Sequence, residues 1–364
     1  MSNTSLVIKL GSQTIVNQAG ELDFSQLEAI IHQIIELKKK GFNIILVSSG
    51  AVATGRQSTK DIRLKFQNIV EERQILASIG QAGLIETYNN ILRKNGFIAA
   101  QILLTKEDFR SRNHYLNTYN LLHGLIKNPN VLPIVNENDV TSINELMFTD
   151  NDELSALIAI QMHVNKLIIL TSIEGVYDQN PANEGAQLIS TLDLNQKETW
   201  PKTLDGKSLY GRGGMSSKLA CARKAAHFGI HTYIANARLP NVLQRVLNDE
   251  KIGTKILPFK QDKGIKRWLA HTYSDSLPSV FLNDGISRIL TKREKAVSLL
   301  PVGITSINGT FEKDDLVSIK NEQGKSIGLG VARYDSRSLS AVIGQKDQKI
   351  FIHYNKICIF DNPD

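Results

Sequence analysis

The sequence predicts two domains: an α/β domain built on a mainly parallel sheet, followed by a small β-rich domain. Three observations predict this. Helix-period segments alternate with short apolar runs from Leu6 to about Asn236, the pattern of a parallel α/β sheet. That texture stops near residue 260, where short apolar runs punctuated by turn residues take over. At 364 residues the chain is also too long for one ordinary core.

The elements follow in order. Leu6 to Leu10 is an apolar run broken by Lys9 and ended by Gly11-Ser12, a buried strand and a tight turn. In SQLEAIIHQIIELKKKG, Leu27, Ile30, Ile31, Ile34 and Ile35 recur at helical spacing. Lys38 to Lys40 suit a last helical turn and Gly41 its C′ position. Phe42 to Val47 is a second apolar strand, ended by Ser48-Ser49-Gly50. The same alternation continues through helix-like ILASIGQAGLIETYNNILRKNG and strand-like FIAAQILL. VLPIV, helix-like ELSALIAIQMHV and strand-like KLIILT come next, then MSSKLACARKAAHFG and HTYIAN. Beyond residue 275, SLLPVGITSINGTFEKDDLVSIKNEQGKSIGLGVARYD is broken by Asn-Gly, Lys-Asp-Asp and Gln-Gly-Lys turns, which suits a small barrel. The expected boundaries are 1–258 for the α/β domain, 259–274 for a basic linker and 275–364 for the β-rich domain.

Composition excludes several function classes. Hydrophobic residues make up 41% and charged residues 22%, ordinary for a soluble globular protein. No run approaches the roughly 20 apolar residues of a membrane span, and MSNTSLVIKLG does not read as a signal peptide. Cys221 and Cys358 form neither a metal spacing nor a disulfide framework, which fits a reducing, cytoplasmic setting. His227 and His231 are four apart with Gly229 between them and no third ligand near, so no metal site is expected. The net charge of +7 is local. Residues 251–274 carry six basic and one acidic side chain, whereas 275–364 carry twelve and eleven, which argues against RNA binding as the primary function.

Four clusters carry candidate chemistry. The most informative is VNENDVTSINELMFTDNDELSA, where Asn136, Glu137, Asn138 and Asp139 follow one apolar run. Asp150, Asn151 and Asp152 precede another. Carboxylates at the mouth of a core are costly unless paired, so two such bursts point to a site for a cation, an ammonium group or a lysine. Lys9, inside an apolar strand, must reach a cleft or a carboxylate. VSSGAVATGR leaves backbone N–H groups free at a strand end. GRGGMSSK, Gly211 to Lys218, opens a helix as an anion cradle, without the order of a Walker A motif. Together these parts suit phosphoryl transfer, which needs cations around the moving group, amides on the phosphates, and carboxylates that hold Mg²⁺ or place lysines.

Seven segments in order, VIKLGS, VSSGAVATGR, VLPIVNENDV, FTDNDELSA, LIILTSIEGVYDQNP, GRGGMSSKLACARKAAHFGI and SLLPVGITSINGTF, make the chain resemble the glutamate 5-kinases. These are members of the amino-acid kinase family with a C-terminal PUA domain, and the resemblance covers nearly the whole length. It implies a three-layer α/β/α sandwich followed by a PUA-like barrel. It implies transfer of the ATP γ-phosphoryl group, with Mg²⁺, to the side-chain carboxylate of L-glutamate, the first step of proline biosynthesis. By motif match, Lys9 and Lys218 would stabilise the moving phosphoryl group and Asp150 or Asp152 would orient them. Ser49, Gly50, Asp139 and Asn151 would hold glutamate, with Asp139 facing its α-ammonium. Thr171, Ser172, Arg212, Gly213, Gly214, Met215, Ser216, Ser217, Lys218 and Lys9 would contact ATP. Inhibition by proline, a homo-oligomer (dimer or tetramer) and a glutamyl phosphate reductase partner are further implications.

Two positions depart from the family pattern. Ser172 stands where Asp is common after the strand, and Arg212 where Thr is common before Gly-Gly-Met. Both touch the inferred nucleotide site. Competing readings are a relative that phosphorylates another small acid, an RNA-binding protein, and a pseudokinase. The carboxylate-rich bursts favour a substrate with a free ammonium group, and the retained lysines oppose a pseudokinase.

Overall fold

The computed structural model describes residues 4–17, 20–110, 112–141, 150–193, 214–258, 277–292 and 297–359. The expected linker 259–274 lies outside the described residues, as do Arg212 and Gly213. Contacts divide the chain into two units, Met1–Lys106 with Thr118–Gln261, and Glu107–Asn117 with Asp262–Asp364.

The first unit is built on an eight-stranded sheet. In chain order its elements begin β1 (Ser5–Leu10), α1 (Ser12–Ile15), α2 (Phe24–Lys39), β2 (Asn43–Ser48), α3 (Ala51–Ser58) and α4 (Ile69–Arg93). β3 (Ile98–Leu104), β4 (Val131–Glu137), α7 (Asn151–Gln161) and β5 (Lys166–Thr171) follow; between β3 and β4 the chain forms α5 (Glu107–Arg110), which groups with the second unit, and α6 (Arg112–Ile126), which groups with the first from Thr118 on. The series ends with β6 (Thr191–Asp193), α8 (Met215–His227), β7 (His231–Asn236), α9 (Val242–Leu247) and β8 (Thr254–Leu257). The spatial order is β3-β4-β2-β1-β5-β7-β8-β6. Every pairing is parallel except β7 with β8.

Period-two alternation in β1 sorts its side chains between two layers. Leu6, Ile8 and Leu10 join Leu27, Ile30 and Ile34 of α2, Leu84 and Tyr88 of α4, and Leu243 of α9 in one core. Lys9 therefore points to the opposite face, where α7 packs on β1, β2, β4 and β5, and α8 packs on β5 and β7. The result is the expected α/β/α sandwich. The chain leaves β1 for β2 on one side and returns to β5 on the other. The carboxyl end of β1 is thus a topological switch point, where open α/β sheets bind ligands.

Local chemistry sets two helix starts that the apolar pattern did not show. α4 begins at Ile69, six residues before the expected start, because the Asn68 side chain accepts from Glu71 N–H and Glu71 and Glu72 occupy the first turn. Ile69 is 84% exposed, so these turns carry no core-facing stripe. α3 forms directly after Gly50, within VSSGAVATGR. The α3–α4 crossing is close: a Cβ on Gly80 would overlap Ala51 O, and one on Gly55 would overlap Leu76 O.

The second unit carries a five-stranded sheet in the order β10-β9-β11-β12-β13. Its strands are β9 (Ser279–Leu282), β10 (Ile304–Asn308), β11 (Leu316–Lys320), β12 (Ser326–Val331) and β13 (Ile357–Ile359). All three turn signals are realised with positive φ, at Gly309, Asp314 and Gly324. Val280, Leu282, Val317, Ile319, Phe351 and Ile352 form its separate core. Among the described residues no helix is long and apolar enough to cross a membrane.

Candidate active site

Lys9 leaves β1 on the α7 face, and its Nζ lies 2.6 Å from Asp152 Oδ1. Lys218, in the first turn of α8, reaches Asp152 Oδ2 at 3.0 Å. Two cations from separate elements thus share one carboxylate, whose side chain is 1% exposed. Burial pushes the Asp152 carboxyl up, but the Lys9 and Lys218 ammonium groups outweigh it and hold the group below the usual carboxylate range. Asp152 sits there because α7 starts at Asn151 and its other side chains are almost all buried, which leaves the first turn at the sheet edge.

Asp150 takes a different place. It caps α7: its Oδ1 accepts from the N–H of Asp152 at 2.9 Å and of Glu153 at 3.2 Å. Its Oδ2 accepts from Ser217 Oγ at 2.7 Å. Burial, then the Asp152 charge, raises its pKa. Of the two aspartates expected to orient the lysines, Asp152 contacts both, while Asp150 ties α7 to the first turn of α8.

A cleft of about 370 Å³ opens beside this cluster, lined by Ser12, Ser49, Gly50, Asn136, Asp139, Asp150 and Asn151 among others. Gly50 has φ 114°, and a Cβ there would come within 2.9 Å of Ile15 Cδ1, so the turn after β2 needs glycine. Asn151 Nδ2 lies 2.8 Å from Ser49 Oγ, 2.9 Å from Asn136 Oδ1 and 3.1 Å from Ser48 O. Its buried Oδ1 has no hydrogen-bond partner. A ligand donor at that oxygen would satisfy it.

Asp139 also lines the cleft, already engaged by Arg73. The guanidinium Nε and Nη2 donate to Asp139 Oδ1 at 3.0 and 2.6 Å, and Nη2 reaches Glu137 Oε2 at 3.3 Å. Asn136 Nδ2 donates to Gln81 Oε1 at 2.8 Å. Arg73 and Gln81 both belong to α4, and sequence reasoning missed both. Arg73 sits in EERQ, which reads as a solvated charge run, and no local signal links it to a carboxylate 66 positions away.

The remaining expected residues lie on the other side of β1. Thr171 ends β5 and is buried, and Ser172 follows it. α8 begins at Met215 after Gly214, which makes no side-chain cap hydrogen bond, and its first turn holds no acid, so the first N–H groups of the helix have no acceptor within it. Among the described residues no group of three His, Cys, Asp or Glu could hold a metal ion.

Comparison with known proteins agrees with this architecture. The model of the amino acid kinase family matches residues 4–236 and that of the PUA domain matches residues 278–353. A glutamate 5-kinase of Bacteroides thetaiotaomicron is 40% identical over 98% of both chains. One of Chlorobaculum tepidum is 40% identical over 97% of this chain and 96% of its own. Among solved structures, carbamate kinase from Giardia lamblia bound to AMP-PNP superposes with a TM-score of 0.51 at 18% identity, covering 71% of this chain and 99% of that one. An isopentenyl phosphate kinase product complex from T. acidophilum gives 0.50 at 15% identity, covering 70% and 100%. These two show the fold. The chain belongs to the amino acid kinase family and, within it, to the glutamate 5-kinases, and is therefore a kinase.

Proposed function

We propose that this kinase transfers the γ-phosphoryl group of ATP to the side-chain carboxylate of L-glutamate, yielding L-glutamyl 5-phosphate. The observation that carries the reading is the pair of lysines converging on buried Asp152 beside a cleft lined by Ser49, Asp139 and Asn151. Charge in phosphoryl transfer spreads over the three oxygens of the moving group. Lys9 and Lys218 would meet that charge, and Asp152 would hold both ammonium groups before the substrates arrive, so little reorganisation is left for the reaction. The α8 amides and Thr171-Ser172 would take the nucleotide phosphates. With both Asp152 oxygens engaged by lysines, that carboxylate would hold the ammonium groups, and Mg²⁺ when bound would supply further neutralisation of phosphate charge.

In the cleft, the unpaired Asn151 Oδ1 and the Asp139 carboxylate would receive the α-ammonium of glutamate. An N-acylated acceptor has no such cation, and this favours the free amino acid. The same reading places the enzyme in the cytoplasm, at the first step of proline biosynthesis. It expects feedback inhibition by proline at the glutamate site, a homo-oligomer, and a reductase that consumes the labile acyl phosphate. The domain boundaries near residues 258 and 275 belong to it too.

The test is ATP- and Mg²⁺-dependent formation of hydroxamate from L-glutamate in the presence of hydroxylamine, with aspartate and N-acetylglutamate alongside and proline as inhibitor. Product from glutamate alone, suppressed by proline, is the expected result. Turnover of one of the other acids instead would move the acceptor while keeping the kinase.

A further inference from the structure

We propose that Arg73 is the positioning residue of the acceptor pocket, holding Asp139 so that its second carboxylate oxygen meets the substrate ammonium. This deepens the glutamate reading and rests on it. Both Arg73 contacts with Asp139 fall on Oδ1, which leaves Oδ2 as the oxygen available to a ligand in the cleft. The same guanidinium reaches Glu137, so one cation bridges two carboxylates that would otherwise repel each other. Their side chains are 4% and 10% exposed while Arg73 is 36% exposed, which makes Arg73 the outer member of the cluster.

Helix α4 holds both the end of β4 and the described residues just after it. Besides Arg73, Gln74 Nε2 donates to Val140 O at 3.0 Å and Gln81 accepts from Asn136. The Gly55 and Gly80 contacts press α4 against α3, whose first residues line the same cleft. The position of Arg73 is therefore set by rigid packing, as precise recognition requires. A rotated Asp139 would lose its grip on an ammonium group yet leave the reacting carboxylate of a bound acid untouched. Arg73 should thus govern the choice of an amino acid over a plain dicarboxylate.

The experiment uses the full chain with Arg73→Gln and Arg73→Lys. Initial-rate kinetics are measured with L-glutamate, together with the inhibition constant of glutarate, which has the same chain and no ammonium group. Arg73→Gln should raise the KM for glutamate about tenfold to a hundredfold with kcat nearly unchanged, as lost ground-state binding does. The glutarate constant should stay put, and Arg73→Lys should recover part of the loss. Should Arg73→Gln fail to fold, Arg73→Lys carries the test through the same split between glutamate and glutarate. A wild-type KM in Arg73→Gln, or equal losses toward glutamate and glutarate, overturns the proposal. A wild-type enzyme that makes no hydroxamate from glutamate sinks the glutamate reading itself, and this inference with it.

Discussion

Asp152→Asn removes the single charge that two lysines share. The contacts are 2.6 and 3.0 Å in a nearly inaccessible setting. At about 4 Å between charge centres and an effective dielectric of about 20, each attraction is about 4 kcal/mol. Desolvation offsets much of that in the intact cluster, but breaking a buried pair strands its partner and costs about 3–5 kcal/mol. Against a total stability of about 5–15 kcal/mol, that is a large fraction. Catalysis should fall about a hundredfold or more, because the lysines lose their fixed orientation. The assay is urea unfolding by linear extrapolation, with hydroxamate initial rates on the same samples. The pH dependence supplies a second check. Asp152 is held below its ordinary value of 3.8 in the folded state, so its stabilisation is fully present above about pH 4 and is lost as pH falls through the lower folded-state value. The gap between wild type and Asp152→Asn should therefore be constant at neutral pH and close in acid below 3.8. Lys9→Met, which leaves Asp152 with Lys218, should be milder in stability and comparably poor in turnover. An Asp152→Asn enzyme with a wild-type unfolding midpoint and wild-type kcat would refute the reasoning.

Three further outcomes are expected. Lys218→Ala should lower turnover about a hundredfold or more with a smaller change in KM, as loss of a transition-state contact does; wild-type activity would remove Lys218 from the mechanism. Gly80→Ala places a methyl group against Ala51 O, and the overpacking should cost about 1–3 kcal/mol in urea unfolding, with a raised KM for glutamate because α3 and α4 frame the cleft. A chain truncated after residue 258 keeps the core of the first sheet, which is distinct from that of the second. It should retain measurable kinase activity, and a folded but inactive truncate would show that the active site depends on the C-terminal residues.

Most of the fold was legible because burial leaves a periodic mark. Leu27, Ile30, Ile31, Ile34 and Ile35 all lie in the core, as their spacing requires. The turn residues of the C-terminal unit adopt the positive φ their chemistry favours. The start of α4 was not legible, because its first turns face solvent and its signals, the Asn68 cap and the Glu71-Glu72 pair, resemble any polar loop. The candidate site divides along the same line. Lys9 and the two acidic bursts stand out because charge beside apolar runs is expensive and needs a reason.

The sequence by itself determined the alternation of helices and strands, the residues that face the core, and which charged groups must find partners. Composition and periodicity encode those demands locally. It did not determine which partner each charge takes. Tertiary structure decided that Asp152 serves both lysines while Asp150 caps a helix and holds Ser217. It also decided that Arg73, 66 positions away, occupies Asp139. Such pairings depend on distances of a few ångströms between elements remote in the chain. Coulomb and hydrogen-bond energies fall away over that scale, so packing selects the partner.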